Sequence, residues 1–215
     1  MSMGEEFKQF TFTEVVSILN NFEFKYEWAT EQHNSPFFKE YSNLYNTDPI
    51  LLRCTCKDSK LFSEIIKSLD FFEQEKHGYR CLENDVIKSL ITNLYLNPGP
   101  SPIAEFTDGV DWERFKSLSF EKISPTSFVV KLQELIQVGG LFEKSKQSSD
   151  QIKNLALDFS NSIFKENIKN FKIYYTFDEG WSDYFGKMGM GLDVTFFLFD
   201  GTLGEFWILS KTDYD

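Results

Sequence analysis

The sequence has few cysteines, few histidines and no excess of positive charge. Its 215 residues include three cysteines and two histidines. A small, odd number of cysteines excludes the disulfide framework of a small secreted domain and favours a reducing compartment. Lysine and arginine number 22 against 33 acidic residues, which gives a formal net charge of -11. This balance argues against binding of nucleic acid or of an anionic membrane through phosphate contacts.

Long apolar runs are also missing from the chain. No stretch approaches the roughly 18 consecutive apolar residues of a membrane-spanning helix. The first ten residues, MSMGEEFKQF, have neither the basic start nor the apolar centre of a secretory signal. We therefore predict a cytoplasmic protein with no membrane association, no nucleic-acid partner and no cofactor. The acidic balance predicts a basic protein as its partner.

Helical periodicity dominates the chain up to about residue 170. Ser124 followed by Pro125 and Ser148 paired with Gln151 are typical helix-start signals. Apolar residues follow each start at the three- and four-residue spacing of an amphipathic helix. The segment NPGPSP at 97–102 is the clearest break in the chain and predicts a possible joint between subdomains.

Beyond residue 170 the period changes from 3.6 to two. Three segments alternate in the manner of strands, namely 171–177, 192–199 and 205–210. Helices followed by an antiparallel meander are typical of the α+β class. We predict a single domain over 1–215, with a mainly helical N-terminal two-thirds packed on a C-terminal antiparallel β-meander at about 170–212.

Four residues have the identity of zinc ligands. Cys54 and Cys56 form a C-x-C pair, and His77 and Cys81 form an H-x3-C pair. Zinc sites more commonly use a C-x2-C spacing, and cysteines without a metal are commonly small buried apolar residues. We predict no metal site and keep these four residues as the candidates if one exists.

Catalytic signatures are scarce. The chain has no G-x-S-x-G, H-E-x-x-H or dinucleotide-binding motif. Carboxylates crowd the C-terminal meander, and paired carboxylates support metal-assisted hydrolysis. Most of them fall at expected turns, where aspartate is favoured for backbone reasons. A small metal-dependent hydrolase that uses these carboxylates remains an alternative, as does a structural or regulatory phage or host protein.

The meander is rich in aromatic and acidic residues. From residue 171 to 215 there are thirteen aromatic residues, and eight acids against three bases give a charge of -5. One sheet face is expected to form the core against the helices: Ile173, Val194, Phe196 and Ile208. The other face is also apolar: Tyr174, Phe197, Phe199, Trp207 and Leu209. Either further helices cover this second face or it meets a partner.

Several short segments carry a resemblance to a known group of proteins. They are WSDYF at 181–185, DVTF at 193–196, Asp200, and ILSKTDYD at 208–215. Together they resemble the C-terminal end of small, uncharacterised bacterial proteins of the toxin-immunity type. The resemblance covers the last quarter of the chain and implies a protein that neutralises a toxin delivered by a competing bacterium. It carries over no catalytic residues.

Composition and resemblance lead to one hypothesis. The protein is expected to be an immunity-type inhibitor whose acidic, aromatic surface occludes the active site of a basic toxin, such as a nuclease. The residues expected to contact the partner are Trp181, Asp183, Tyr184, Asp193, Trp207, Asp213 and Asp215. The alternative for Trp181 and Trp207 is a place in the core, where replacement would abolish folding rather than binding.

Overall fold

The architecture is taken from a computed structural model. It describes residues 14, 17–19, 23–45, 49–72, 82–96, 104, 106–118, 120–140, 143–177, 180–185 and 193–213, without the side chains of 68–72, 82–86 and 177. The strands are β1 (Phe24–Trp28), β2 (Ile50–Cys56), β3 (Glu121–Ile123), β4 (Phe171–Phe177), β5 (Val194–Asp200) and β6 (Glu205–Lys211). The helices are α1 (Thr30–His33), α2 (Pro36–Leu44), α3 (Ser59–Phe72), α4 (Leu82–Leu96), α5 (Trp112–Ser117), α6 (Pro125–Val138) and α7 (Ser149–Phe164).

The strands form one antiparallel sheet in the order β1-β2-β6-β5-β4-β3. The predicted meander is its centre, since β4, β5 and β6 pair consecutively. The loop 201–204 fixes the register of the last hairpin by pairing Asp200 with Glu205. Within the described residues, no helix is both long enough and apolar enough to cross a membrane.

The predicted fold class is wrong in how it divides the chain. Two strands from the first 56 residues, β1 and β2, extend the sheet beyond β6, and β3 pairs with β4 at the other edge. Helix α7 lies in the last third of the chain. The sequence FKYEW of β1 does alternate, but five residues inside an aromatic-rich stretch are too few to distinguish a strand from a helix.

Helices cover both faces of the sheet. One face packs with α3 and α4, and its central strands contribute Tyr174, Phe197, Phe199, Phe206 and Ile208. The opposite face packs with α2, α6 and α7, and its central strands contribute Ile173, Val194, Phe196, Trp207 and Leu209. Both faces of the central strands are therefore part of the core. The second apolar face is covered by helices, and it is not open for a partner.

The register also corrects the expected composition of the two faces. Ile208 pairs with Phe197, and Leu209 pairs with Phe196. Directly opposed residues of an antiparallel pair point to the same face. Ile208 thus lies with Phe197 rather than with Phe196, because the alternation of β6 is offset by one residue from the one we expected.

The helix-start predictions are confirmed. The Ser124 hydroxyl accepts a hydrogen bond from the amide of Ser127, and Pro125 occupies the first helical position of α6. Ser148 and Gln151 form a complete capping box at α7. Each cap satisfies amides that the first turn of a helix leaves without a partner. The possible joint at 97–102 lies outside the described residues.

Gly204 is expected to be one of the most sensitive positions in the β5–β6 hairpin. It has a φ of +65°, and a Cβ there would lie 1.9 Å from the carbonyl oxygen of Ser59 at the start of α3. Gly204→Ala should therefore reduce the free energy of unfolding by about 2 to 4 kcal/mol, through both backbone strain and steric overlap. Urea denaturation measures this loss.

Gly201→Ala is the matched control in the same loop. A Cβ at Gly201 would meet its nearest neighbour, the carbonyl oxygen of Asn170, at 3.5 Å, which is an ordinary contact. We expect this variant to change stability by less than about 1 kcal/mol. Equal losses in the two variants would contradict the close approach of the hairpin to α3.

Candidate functional site

The seven residues predicted to bind a partner occupy different environments. Five of them are buried: Trp181, Tyr184, Asp193, Trp207 and Asp213. Asp183 is exposed, and Asp215 lies outside the described residues. In this arrangement Asp183 is available for direct contact, whereas the five buried side chains influence a partner only through the surface that they support.

Three of the buried residues converge near the end of β6. The Thr212 hydroxyl donates to Asp193 Oδ1 at 2.5 Å, and the Tyr184 hydroxyl donates to the carbonyl oxygen of Ser210 at 3.2 Å. Lys211 and Asp213 extend the same cluster. Trp207 belongs to the hydrophobic cluster on the face that α2, α6 and α7 cover, whereas Tyr184 belongs to the cluster on the other face.

The cluster holds charged groups in the interior. Lys211 is 1% exposed, and its Nζ lies 3.9 Å from the ring centroid of Tyr45. Burial lowers the pKa of Lys211 to about 8, although Asp213 and Asp193 oppose the shift. Burial likewise raises the pKa of Asp193, against the hydrogen bond from Thr212 and the charge of Lys211. These groups compensate one another inside the fold.

The zinc-ligand candidates are only partly described. Cys54 and Cys56 are buried free thiols in β2. Burial raises the pKa of both, and nearby Glu205 raises that of Cys54 further. His77 and Cys81 lie outside the described residues. Across the part of the chain that is described, no group of three or more His, Cys, Asp and Glu side chains is arranged to hold a metal ion.

Exposed aromatic side chains meet between α4 and α5. Tyr95 is 42% exposed and Trp112 is 36% exposed, and their rings form an edge-to-face pair with centroids 5.2 Å apart. The neighbouring Leu96 is 62% exposed. Large apolar side chains exposed as a group are less common than single ones and are typical of interaction sites.

The exposed pair rests on a buried aromatic stack. Trp112 contacts Phe115 edge-to-face at 5.5 Å, and Phe115 lies 5.4 Å from Trp181. Trp181 also packs against Phe106 and Phe185 at 5.2 and 5.3 Å. Trp181, which was predicted to contact a partner, instead lies beneath α5 and supports the exposed pair.

Backbone hydrogen bonds join the two segments that carry this surface. The amide of Asp111 donates to the carbonyl oxygen of Trp181 at 2.8 Å, and the amide of Asp183 donates to that of Asp108 at 2.9 Å. Asp111 also caps α5 by accepting from two amides of its first turn. These bonds place the carboxylate of Asp183 beside residues 108–112, even though the sequence separates them by more than seventy residues.

Two carboxylates at this surface form no ion pair with a cation in the described part of the chain. Asp111 and Glu113 have basic neighbours, Arg114 at 3.6 Å and Lys116 at 2.9 Å. Asp108 and Asp183 form no ion pair with any other described residue. We define the Trp112 surface as Tyr95, Leu96, Asp108, Trp112 and Asp183. It combines apolar anchors with unpaired negative charge.

Sequence reasoning identified the chemistry of this surface but only one of its residues. Asp183 was predicted, whereas Tyr95, Asp108 and Trp112 were not. The segment DGVDW at 108–112 carries a turn and a helix-cap signal, which marks Trp112 as the first residue of a short helix. That signal predicts where the helix begins, but it does not predict that the ring of Trp112 is exposed to solvent.

Comparison of the chain with protein-family models, curated proteins and solved structures found no significant match. The resemblance to immunity-type proteins therefore stays a prediction.

Proposed function

We propose that the protein is an immunity-type inhibitor that binds a basic bacterial toxin through the Trp112 surface. The observation that carries the proposal is the exposed Tyr95–Trp112 pair, together with Asp108 and Asp183, which backbone hydrogen bonds hold in the segments next to Trp112 and which form no ion pair with another described residue. No other described position combines a contacting pair of exposed aromatic rings with unpaired acidic charge in this way.

The aromatic pair supplies the anchoring part of the interface. Tryptophan and tyrosine dominate the energetically important residues of protein interfaces, because their rings bury a large area at little cost in side-chain entropy. Trp112 is fixed from below by Phe115 and Trp181. A ring that is already held in place loses little freedom when it binds, which favours a tight complex.

The negative charge of the protein orients the basic partner and increases its association rate. A formal net charge of -11 attracts a basic protein over long range and increases its association rate at low salt. Asp108 and Asp183 then act at short range on lysine and arginine side chains of the partner. On a nuclease, these carboxylates would occupy positions that substrate phosphates otherwise take, and the aromatic pair would block access to the active site.

Capture from the native lysate tests the proposal. The tagged protein should retain one stoichiometric basic protein, and co-expression should protect cells from that protein. Trp112→Ala should weaken the purified complex by about 2 kcal/mol or more, roughly thirtyfold, as measured by calorimetry. Asp183→Asn should mainly slow association and reduce its dependence on salt.

Two exposed residues on α7 provide matched controls. Leu157 is 37% exposed, close to the value for Trp112, and Asp158 is exposed like Asp183. Leu157→Ala and Asp158→Asn should leave affinity and association rate unchanged. The proposal fails if Trp112→Ala binds the captured protein as tightly as the Leu157 variant does, or if the captured protein is not toxic.

A further inference from the structure

A cavity of about 190 Å³ opens on the sheet face opposite α3 and α4. Its walls come from residues 27–32 of β1 and α1, from the C-terminal end of α7 and from the β5–β6 hairpin. The Trp112 surface contributes none of its residues to this cavity. The cavity is thus a second place where the molecule could bind something, independent of the proposed toxin interface.

The floor of the cavity is a row of charged side chains across four strands. Glu27 of β1 pairs with Arg53 of β2, and Glu205 of β6 pairs with Asp200 of β5. Arg53 donates through Nε and Nη2 to the same oxygen, Oε2 of Glu205, at 2.9 and 2.5 Å. The interior positions of a sheet are usually apolar, so a charged row beneath a cavity is typical of a ligand site.

Two of these carboxylates are buried, and neither is fully satisfied. Asp200 is 2% exposed, and its Oδ1 accepts the amides of Thr202 and Leu203 at 2.7 and 3.2 Å. Glu205 is 4% exposed, and both of its bonds from Arg53 reach Oε2. Within the described residues, Oδ2 of Asp200 and Oε1 of Glu205 accept no hydrogen bond. Neither oxygen is fully buried, so both are accessible to a molecule in the cavity and can accept hydrogen bonds from a ligand that carries N–H groups.

The electrostatic balance of the cavity is negative. Four acidic residues line it against two basic ones: Glu27, Glu31, Asp200 and Glu205 against Arg53 and Lys165. The C-terminal end of α7, which carries the partial negative charge of the helix dipole, also faces it. A cation is therefore the ligand that this cavity favours.

The residues at the entrance of the cavity indicate the chemistry of the part of the ligand that carries no charge. Trp28 and Leu203 line the cavity and are 45% and 50% exposed. Trp207 forms part of the wall, with Arg53 lying 5.7 Å from its ring centroid. Apolar and aromatic groups at the entrance suit an alkyl stem, and tryptophan faces also attract cations. A bare metal ion would gain nothing from them.

We infer that this cavity binds an alkylguanidinium or alkylammonium group, with the charged end at Asp200 and Glu205 and the stem against Trp28 and Leu203. The group belongs either to a free amine or to an arginine or lysine side chain. Both sources present the same chemistry, and the probes below distinguish them.

The indole N–H signals of the tryptophans in an NMR spectrum show where on the protein a ligand binds. The chain has four tryptophans, of which Trp28 and Trp207 line the cavity and Trp112 and Trp181 do not. Titration of 15N-labelled protein with agmatine should shift the Trp28 and Trp207 signals, with a dissociation constant on the order of 1 mM. A capped Gly-Arg-Gly peptide should produce the same shifts if side chains enter the cavity, whereas shifts with agmatine alone identify a free amine as the ligand.

Charge-neutral variants test the floor of the cavity. Asp200→Asn retains an oxygen for the turn amides, and Glu31→Gln changes only an exposed rim residue. We expect Asp200→Asn to weaken agmatine binding about fivefold and Glu31→Gln to weaken it about twofold. Asp158→Asn, with the same loss of charge outside the cavity, should not change it.

Three results would overturn the inference. The first is that neither probe shifts Trp28 or Trp207, and the second is that sodium chloride at equal ionic strength shifts them as much. The third is that Asp158→Asn weakens binding as strongly as Asp200→Asn and Glu31→Gln do. None of these results bears on the Trp112 surface, whose test uses different residues and a different partner.

Discussion

Trp181→Ala should destabilise the protein by about 3 to 5 kcal/mol, the usual cost of removing a buried aromatic side chain. Trp181 is 1% exposed and packs against Phe106, Phe115 and Phe185. Its removal leaves a large cavity beneath α5, and neighbouring rings can fill only part of it. Chemical denaturation followed by circular dichroism gives the loss directly.

Trp112→Ala is the informative comparison, because Trp112 belongs to the same aromatic stack but is 36% exposed. We expect it to lower stability by no more than about 1 kcal/mol while greatly weakening the proposed complex. Similar losses of stability in the two variants would show that Trp112 is also core, and would remove the main anchor from the proposed interface.

Lys211→Met should change the free energy of unfolding by less than about 2 kcal/mol at neutral pH, because relief of the cost of burying the cation offsets the lost attraction to Asp193 and Asp213. Lys211, Asp193 and Asp213 are each no more than 2% exposed. Removal of the cation leaves two buried carboxylates without it. Lys153→Met, at an exposed position of α7, should cost less than about 0.5 kcal/mol and serves as the control. A loss as large as that of Trp181→Ala would mean that the attraction of the two aspartates outweighs the cost of burying the cation, and it would contradict this balance.

Lys211 should also affect how stability depends on pH. Burial lowers its pKa in the folded protein to about 8, from 10.5 in an unfolded chain. Between these values the unfolded chain binds more protons, so stability from this group rises with pH. The wild-type protein should gain about 1.5 kcal/mol between roughly pH 8 and 9.5 relative to Lys211→Met. Urea titrations at the two pH values measure the difference, and parallel pH profiles would contradict the assignment.

Local signals in the sequence were sufficient to predict several elements. The caps at Ser124 and Ser148 are set by interactions over three residues, and the alternation of β4 persists over seven. Strand β1 and the strand pairing at the sheet edges were not predicted. Their stability comes from partners distant in sequence, as with Arg53 and Glu205, which are 152 residues apart.

The candidate site shows the same limit. An acidic, aromatic character could be predicted from composition, but burial decides which aromatic residues are available, and burial is a property of the assembled layers. Trp181 and Trp112 illustrate this, because both follow glycine- and aspartate-containing segments and only one is exposed. The charged floor beneath the cavity likewise arises only when β1, β2, β5 and β6 lie side by side.

Hydrogen exchange of the protein alone and with its captured partner tests the central claim most directly. Binding through the Trp112 surface should slow exchange of amides in 106–118 and 180–185 and leave those in 149–164 unchanged. Protection elsewhere, with 106–118 and 180–185 exchanging as in the free protein, would contradict the proposed interface even if the partner is a basic toxin.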